Sequence, residues 1–160
     1  MKFSFFSHSP LETIAFGRKF AKKFEKGTVA GLSGNLGSGK TTLIQGFAEG
    51  LGVSKKEVKS PTFVFFHIYN GRFPVYHFDL YRIEKPAELE TIGFEDFAGS
   101  RDAVSLIEWS NRAGSFLPKD YLKIDLKIQG EEEREFQIQA LGPRSKKIVQ
   151  SFVKHERSRN

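Results

Sequence analysis

One segment constrains the fold of this 160-residue chain more than any other. It reads GNLGSGKT, from Gly34 to Thr41, and matches the pattern G-x-x-x-x-G-K-[S/T] at every fixed position. A short apolar strand is predicted before it, over residues 28–34, and a helix after it, over residues 40–49. Glycines in such a loop let backbone N–H groups surround phosphate oxygens, and the helix adds the positive end of its dipole. The segment therefore predicts a phosphate-binding loop.

The end of this loop also predicts a metal site. Lys40 is expected to reach the β- and γ-phosphates of a nucleotide, and the Thr41 hydroxyl is expected to bind Mg²⁺. A magnesium ion on a nucleotide also takes one or two protein carboxylates. Two apolar segments end in an acid, VYHFD at Asp79 and VSLIE at Glu108. The residues alone leave both acids as candidates.

The remaining segments predict a small α/β domain. Serine followed by proline at residues 9–10 predicts the start of a helix that runs to about residue 26. One hairpin is predicted at Asn70-Gly71, another around the polar turn of residues 130–134, and a terminal helix over residues 146–153. A strand, a phosphate loop and a helix followed by hairpins predict a P-loop NTPase-like three-layer domain with a mixed, partly antiparallel sheet.

Composition excludes several classes of protein and site. The chain has no cysteines, which excludes disulfides and thiolate metal sites, and its four histidines lack paired metal-ligand spacing. No apolar run approaches the roughly 20 residues of a membrane span, and the first residues lack the apolar core of a signal peptide. We therefore expect a cytoplasmic protein with no membrane association. The absence of an Asn-Lys-x-Asp guanine signature favours ATP over GTP.

The net charge of +6 is concentrated near the C-terminus, where residues 144–160 carry six basic residues and one acid. We divide the chain into a P-loop ATPase domain, residues 1–143, and a basic C-terminal helix or tail, residues 144–160, which either belongs to the same domain or is appended to it. The tail could contact phosphates or an acidic protein. A nucleic-acid-binding module is therefore one alternative function.

Four blocks of sequence resemble the TsaE family of small bacterial P-loop ATPases. In order they are GNLGSGKTT, SPTF at residues 60–63, YHFDLYR at residues 76–82 and IEW at residues 107–109. SPTF and HFDLYR are together far more specific than the phosphate loop, which many unrelated nucleotide-binding proteins share. The resemblance covers roughly residues 8–140 and leaves the basic tail unmatched.

The resemblance implies roles for the residues that match it. The nucleotide-binding residues of the loop would be Gly34, Asn35, Leu36, Gly37, Ser38, Gly39, Lys40, Thr41 and Thr42. Thr41 and Glu108 would hold Mg²⁺, and Asp79 would be a nearby acid that hydrolysis requires. The catalytic residues implied are thus Lys40, Asp79 and Glu108.

Two further residues are implied to lie at the nucleotide, each with an alternative role. Thr62 resembles a switch threonine that responds to the γ-phosphate, although its hydroxyl could instead serve the turn after the preceding proline. Trp109 would lie at the rim of the nucleotide pocket, with packing alone as the alternative.

The resemblance also implies a function. It implies an ATP-binding and ATP-hydrolysing accessory protein, required for threonylcarbamoylation of the adenosine next to the anticodon of tRNAs. ATP and Mg²⁺ would be its cofactors, TsaB and TsaD its protein partners, and tRNA a partner indirectly or through the complex. Hydrolysis is expected to be slow alone and stimulated by the partners. A small P-loop kinase of a nucleoside or metabolite is the alternative, because it shares the phosphate loop.

Overall fold

The computed structural model describes residues 1–58 and 65–160, and within these ranges the chain forms seven strands and five α-helices. The strands are β1 (Lys2–Ser7), β2 (Val29–Gly34), β3 (Phe66–Asn70), β4 (Pro74–Asp79), β5 (Val104–Glu108), β6 (Leu122–Ile128) and β7 (Arg134–Ala140). The helices are α1 (Pro10–Ala21), α2 (Lys40–Gly50), α3 (Glu88–Thr91), α4 (Phe94–Phe97) and α5 (Pro143–Ser158). The SPTF block, including Thr62, lies outside the described residues.

The strands form one mixed sheet in the order β1-β7-β6-β2-β5-β4-β3. Strands β6, β2, β5 and β4 pair in parallel, whereas β1 with β7, β7 with β6, and β3 with β4 are antiparallel. Strand β5 is buried at all five positions, as is typical of a parallel strand that has helices on both faces. Because parallel strands end at the same edge of a sheet, the carboxyl ends of β2, β4 and β5 lie together.

Helices cover both faces of this sheet. On one face, buried side chains of α1, α2 and α5 share a core with β2, β5 and β6, and its aromatic members include Phe16, Phe20, Phe47 and Phe152. On the other face, α3 and α4 contribute to a second core with strands β4 and β5. The two covering layers confirm the predicted three-layer α/β fold with a mixed sheet. Within the described ranges, none of the helices has the length and apolar character needed to cross a bilayer.

Several element boundaries differ from those predicted. Helix α1 ends at Ala21 rather than near residue 26, because the chain turns there and the backbone N–H of Phe24 donates to Ala21 O. That turn carries the buried Phe24 ring against Phe20 and Phe47. Helix α5 begins three residues earlier than predicted and ends five residues later. Strand β1 was not predicted, although Phe3 and Phe5 alternate onto the core face as a strand requires.

Candidate functional site

The glycine-rich segment forms a loop between β2 and α2. Gly37 and Gly39 have φ angles of 80° and 98°, in a region that side chains disfavour, yet a Cβ atom at either position would meet nothing within 4 Å. These two positions therefore require glycine for backbone conformation rather than for space. At Gly34, by contrast, a Cβ would lie 2.6 Å from Leu126 O and from Ser38 Oγ. The loop ends at the N-terminus of the 11-residue helix α2, where the helix dipole attracts anions.

Lys40 is folded back onto this loop. Its Nζ donates to the carbonyl oxygens of Gly34 at 2.7 Å and Asn35 at 3.0 Å, and to Ser38 Oγ at 3.3 Å. The same ammonium lies 4.0 Å from the ring centroid of Trp109. The Lys40 side chain is buried, and burial lowers its pKa, while two nearby carboxylates partly oppose that shift.

Those carboxylates belong to the two acids predicted at strand ends. Asp79 ends β4 and Glu108 ends β5, and the two residues are partners in the parallel register of these strands. The Thr41 hydroxyl donates a hydrogen bond of 2.7 Å to Glu108 Oε1. The sheet therefore brings both acids to the start of α2, and Glu108 is the acid in contact with the loop.

Asp79 has a different environment from Glu108. Its Oδ1 accepts a hydrogen bond of 3.0 Å from the backbone N–H of Tyr81. Burial raises the pKa of Asp79, and the negative charge of Glu108 acts in the same direction. The Tyr81 N–H, His77 and Lys40 oppose the shift without cancelling it. Asp79 therefore binds a proton more readily than an exposed aspartate does.

Behind Glu108 lies a chain of buried polar groups. Glu108 Oε2 lies 2.7 Å from His77 Nε2, and His77 Nδ1 lies 2.9 Å from the Tyr69 hydroxyl. All three side chains are buried, with relative exposures of 2% for Glu108, 0% for His77 and 4% for Tyr69. The two oxygens of Glu108 thus have different neighbours, one towards the loop and one towards the protein interior.

Trp109 follows Glu108 with an unusual backbone. Its φ of 57° is positive, and among the described residues it is the one non-glycine residue with this conformation. The ring lies between basic groups, with Lys40 Nζ at 4.0 Å and the Arg112 guanidinium at 5.0 Å from its centroid. Tyr81 packs beside it at 5.2 Å between ring centroids. The turn after β5 therefore places the indole at the loop, next to Lys40.

These groups line one pocket of about 440 Å³. Its lining residues are Leu36, Gly37, Gly39, Lys40, Thr41, Thr42, Asp79, Tyr81, Glu108 and Trp109. Of the other predicted site residues, Ser38 is a buried member of the loop, and its Oγ accepts from Lys40 Nζ. Gly34 and Asn35 supply the carbonyl groups that hold Lys40. Thr62 lies outside the described residues, so its predicted switch role stays a prediction.

The oxygens of Thr41 and Glu108 suit a shared Mg²⁺. They lie 2.7 Å apart, and adjacent oxygens in an octahedron with Mg–O bonds of about 2.0–2.1 Å lie about 2.9 Å apart. Within residues 1–58 and 65–160, no group of three or more His, Asp or Glu side chains could hold a metal. The spacing of the Thr41 and Glu108 oxygens fits a magnesium ion that would take its remaining ligands from phosphates and water, as is usual on nucleotides.

Sequence reasoning missed His77, Tyr69 and Arg134. Alternation in VYHFD places His77 on the same face of β4 as Asp79, so the pattern did contain a signal for the histidine. Tyr69 reaches it from β3 through hairpin pairing. Arg134 Nη2 donates to Gly37 O at 3.1 Å, a contact that depends on β6 lying beside β2, and no local pattern predicts that neighbour.

Comparison with known proteins gives a consistent family assignment. The family model described as "Threonylcarbamoyl adenosine biosynthesis protein TsaE" matches residues 7–136. A Bacillus subtilis protein named tRNA threonylcarbamoyladenosine biosynthesis protein TsaE is 38% identical over 153 residues, which cover 95% of this chain and 94% of the relative. A Haemophilus influenzae protein of the same name is 36% identical over 146 residues, which cover 87% of this chain and 90% of the relative.

A solved structure has the same fold. The crystal structure of Bacillus subtilis YdiB superimposes with a TM-score of 0.80 and 30% sequence identity. The match covers 98% of this chain and 97% of that one. The likeness therefore extends through α5 and is not confined to the phosphate loop.

Proposed function

The chain belongs to the TsaE family of tRNA threonylcarbamoyladenosine biosynthesis proteins, and from that premise we propose that it acts there as a Mg²⁺-dependent ATPase. One observation carries the proposal. Lys40, Thr41, Glu108 and Asp79 line a single pocket at the N-terminus of α2. This combination supplies a phosphate-binding cation, two oxygen ligands for a metal and a further acid.

Each of these residues has a defined task in the proposal. Lys40 exchanges its loop carbonyls for the β- and γ-phosphates, where its charge stabilises the developing negative charge. Thr41 and Glu108 hold Mg²⁺, which neutralises phosphate charge when it is bound. Asp79, at the same edge of the sheet, orients the attacking water. The Trp109 ring lines the pocket, and Lys40 Nζ lies 4.0 Å from its centroid.

Hydrolysis by the isolated chain is proposed to be slow. Among the described residues that line the pocket there is no arginine, and Arg134, which lies beside the loop, donates to the carbonyl oxygen of Gly37. An arginine that contacts the transferred phosphate accelerates many P-loop enzymes by about 10³–10⁵-fold. We assign the missing stimulation to partner proteins, TsaB and TsaD. In this arrangement the chain is an accessory protein in the cytoplasm, and it meets tRNA through the complex.

The proposal is tested by measuring phosphate release from ATP by the chain alone, with TsaB and TsaD, and with tRNA added. We expect slow hydrolysis alone and clear stimulation by the partners. Lys40→Ala and Glu108→Ala should each reduce the stimulated rate by about 100-fold or more, because the first removes a positive charge from the phosphates and the second removes a proposed ligand of Mg²⁺. Lys154→Ala and Glu90→Ala, which remove the same charges from exposed positions, are the matched controls.

Two results would contradict the proposal. Equal rates with and without the partners would exclude the accessory role. Transfer of the γ-phosphate to a nucleoside or metabolite, without release of free phosphate, would identify a kinase instead.

A further inference from the structure

The hydrogen bonds of the buried chain behind Glu108 follow from which of its groups can donate. Oε1 of Glu108 accepts from the Thr41 hydroxyl, so the carboxylate acts as an acceptor on its loop side. An ionised carboxylate can only accept, and His77 Nε2 therefore donates to Oε2. When His77 is neutral, its Nδ1 accepts from the Tyr69 hydroxyl, and when His77 is protonated, Nδ1 donates to the Tyr69 oxygen; in both forms Nε2 donates to Glu108.

This arrangement restricts how Glu108 can be oriented. Rotation of its carboxyl group would remove the partner of His77 Nε2, and that N–H lies in a side chain with no solvent exposure. A buried donor without a partner is costly, because no water replaces the lost hydrogen bond. His77 is in turn held by Tyr69, which belongs to β3, and by its own place in β4. Glu108 is therefore fixed from two neighbouring strands.

We infer that His77 and Tyr69 are positioning residues that bind Oε2 of Glu108 and so leave Oε1 as the single oxygen offered to Mg²⁺. Magnesium requires near-ideal octahedral geometry and short bonds, so it benefits from a carboxylate that presents one oxygen in one direction. Groups that hydrogen-bond to a metal ligand typically change metal affinity by about 10–100-fold. The inference rests on the proposed function, because it needs a nucleotide-bound magnesium ion.

The test measures how strongly Mg²⁺ supports nucleotide binding. The affinity of the full chain for a non-hydrolysable ATP analogue is measured by calorimetry in EDTA and over a series of Mg²⁺ concentrations. For His77→Leu we expect the Mg²⁺ concentration at half-maximal effect to rise about 10–100-fold, while the affinity in EDTA stays within about twofold. His77→Gln keeps an N–H near the position of Nε2 and should restore most of the Mg²⁺ effect.

Tyr69→Phe removes a single oxygen and should shift the Mg²⁺ midpoint in the same direction by a smaller factor. It keeps the test valid if His77→Leu does not fold. Tyr76→Phe is the matched control, because Tyr76 precedes His77 in β4 and packs in the core on the opposite face of the sheet. The Mg²⁺ midpoint of this variant should not change.

Three results would overturn the inference. The first is an unchanged Mg²⁺ midpoint in both His77→Leu and Tyr69→Phe. The second is a loss of affinity for the ATP analogue that is equal in EDTA and in Mg²⁺. The third is a Mg²⁺ midpoint of His77→Gln that equals that of His77→Leu. Failure of the wild-type chain to bind nucleotide at all is a different result, because it rejects the proposed function itself.

Discussion

At the scale of single residues, Asp79 and Glu108 occupy equivalent strand positions in different environments. Glu108 has a side-chain partner at each oxygen, Thr41 and His77. Asp79 accepts from a backbone N–H, and burial still raises its pKa. A carboxyl group whose folded pKa exceeds its unfolded value destabilises the fold when it ionises. Asp79 is thus a residue whose charge opposes stability, in a place where the proposed hydrolysis needs it.

Asp79→Asn should accordingly stabilise the protein while reducing its activity. The destabilising effect of Asp79 is absent below its ordinary pKa, appears as pH rises and is complete above the raised folded pKa. We therefore expect the melting temperature of Asp79→Asn to exceed that of the wild type at pH 7.5. The gain should disappear near pH 4.

The same variant should lose most of the partner-stimulated ATP hydrolysis. Asp96→Asn, an exposed change of the same kind, is the control for both measurements. A lower melting temperature for Asp79→Asn at pH 7.5 would show that the carboxylate stabilises the fold, contrary to this prediction.

At the scale of elements, helix α5 shows which boundaries depend on distant residues. It begins after Gly142, a residue with no side chain to cap a helix. Asp120 acts in its place: Oδ2 accepts from Arg144 N at 2.8 Å, and Oδ1 accepts from Ser145 N at 3.2 Å and Ser145 Oγ at 2.7 Å. Burial alone would raise the pKa of Asp120, but these hydrogen bonds outweigh it and lower that pKa. The first turn of α5 is therefore held by a residue that precedes β6.

Asp120→Ala should reduce stability by about 1 kcal/mol at pH 7, as the loss of a helix cap usually does. A lowered folded pKa means that the stabilisation is present above the ordinary value of the carboxyl group and is lost as pH falls through the folded value. In urea denaturation, the difference between wild type and variant should therefore shrink progressively below pH 4. Asp102→Ala, at an exposed turn, should show no such pH-dependent difference.

The elements that could be predicted from sequence are those whose sequence patterns span only a few adjacent residues. The glycine pattern of the loop and the Asn70-Gly71 turn are of this kind, and both lie where they were expected. The start of α5 was predicted too late because its cap, Asp120, is 24 residues from Arg144 in sequence. The His77–Tyr69 pair was missed because it depends on the pairing of two strands. Local patterns thus predict the loop and both acids, but not the groups that hold them.

At the scale of the whole molecule, one sheet joins two cores, and the C-terminal helix belongs to the larger of them. The Phe152 ring of α5 lies 5.0 Å from Phe20, 5.8 Å from Phe16 and 5.9 Å from Phe3 between ring centroids. These partners come from α1 and β1. Strand order explains this contact, since β1 pairs with β7, and α5 directly follows β7. No sequence pattern predicted that order, because it is set by contacts between distant segments.

Phe152→Ala should therefore destabilise the whole molecule rather than release α5 alone. Loss of a buried phenylalanine costs about 3–5 kcal/mol, a large part of the 5–15 kcal/mol typical of a folded domain. Urea unfolding is followed by circular dichroism and by the fluorescence of Trp109, which reports on the pocket. We expect coincident transitions at lower urea for the variant, and no shift for the exposed Gln150→Ala. Separate transitions for the two signals would contradict this prediction.

Because Lys40 is folded back onto the loop, an anion that binds its ammonium replaces existing hydrogen bonds and does not simply add new ones. Its ammonium already faces Gly34 O, Asn35 O and Ser38 Oγ, so a phosphate that recruits this side chain has to replace those partners. A small anion with few oxygens forms few more hydrogen bonds than the ones that Lys40 gives up. A polyphosphate also binds the loop amides and the helix N-terminus. It therefore forms more interactions than it displaces. Under the proposed function we therefore expect the loop to discriminate by the length of the phosphate chain, with free inorganic phosphate as a weak competitor for ATP.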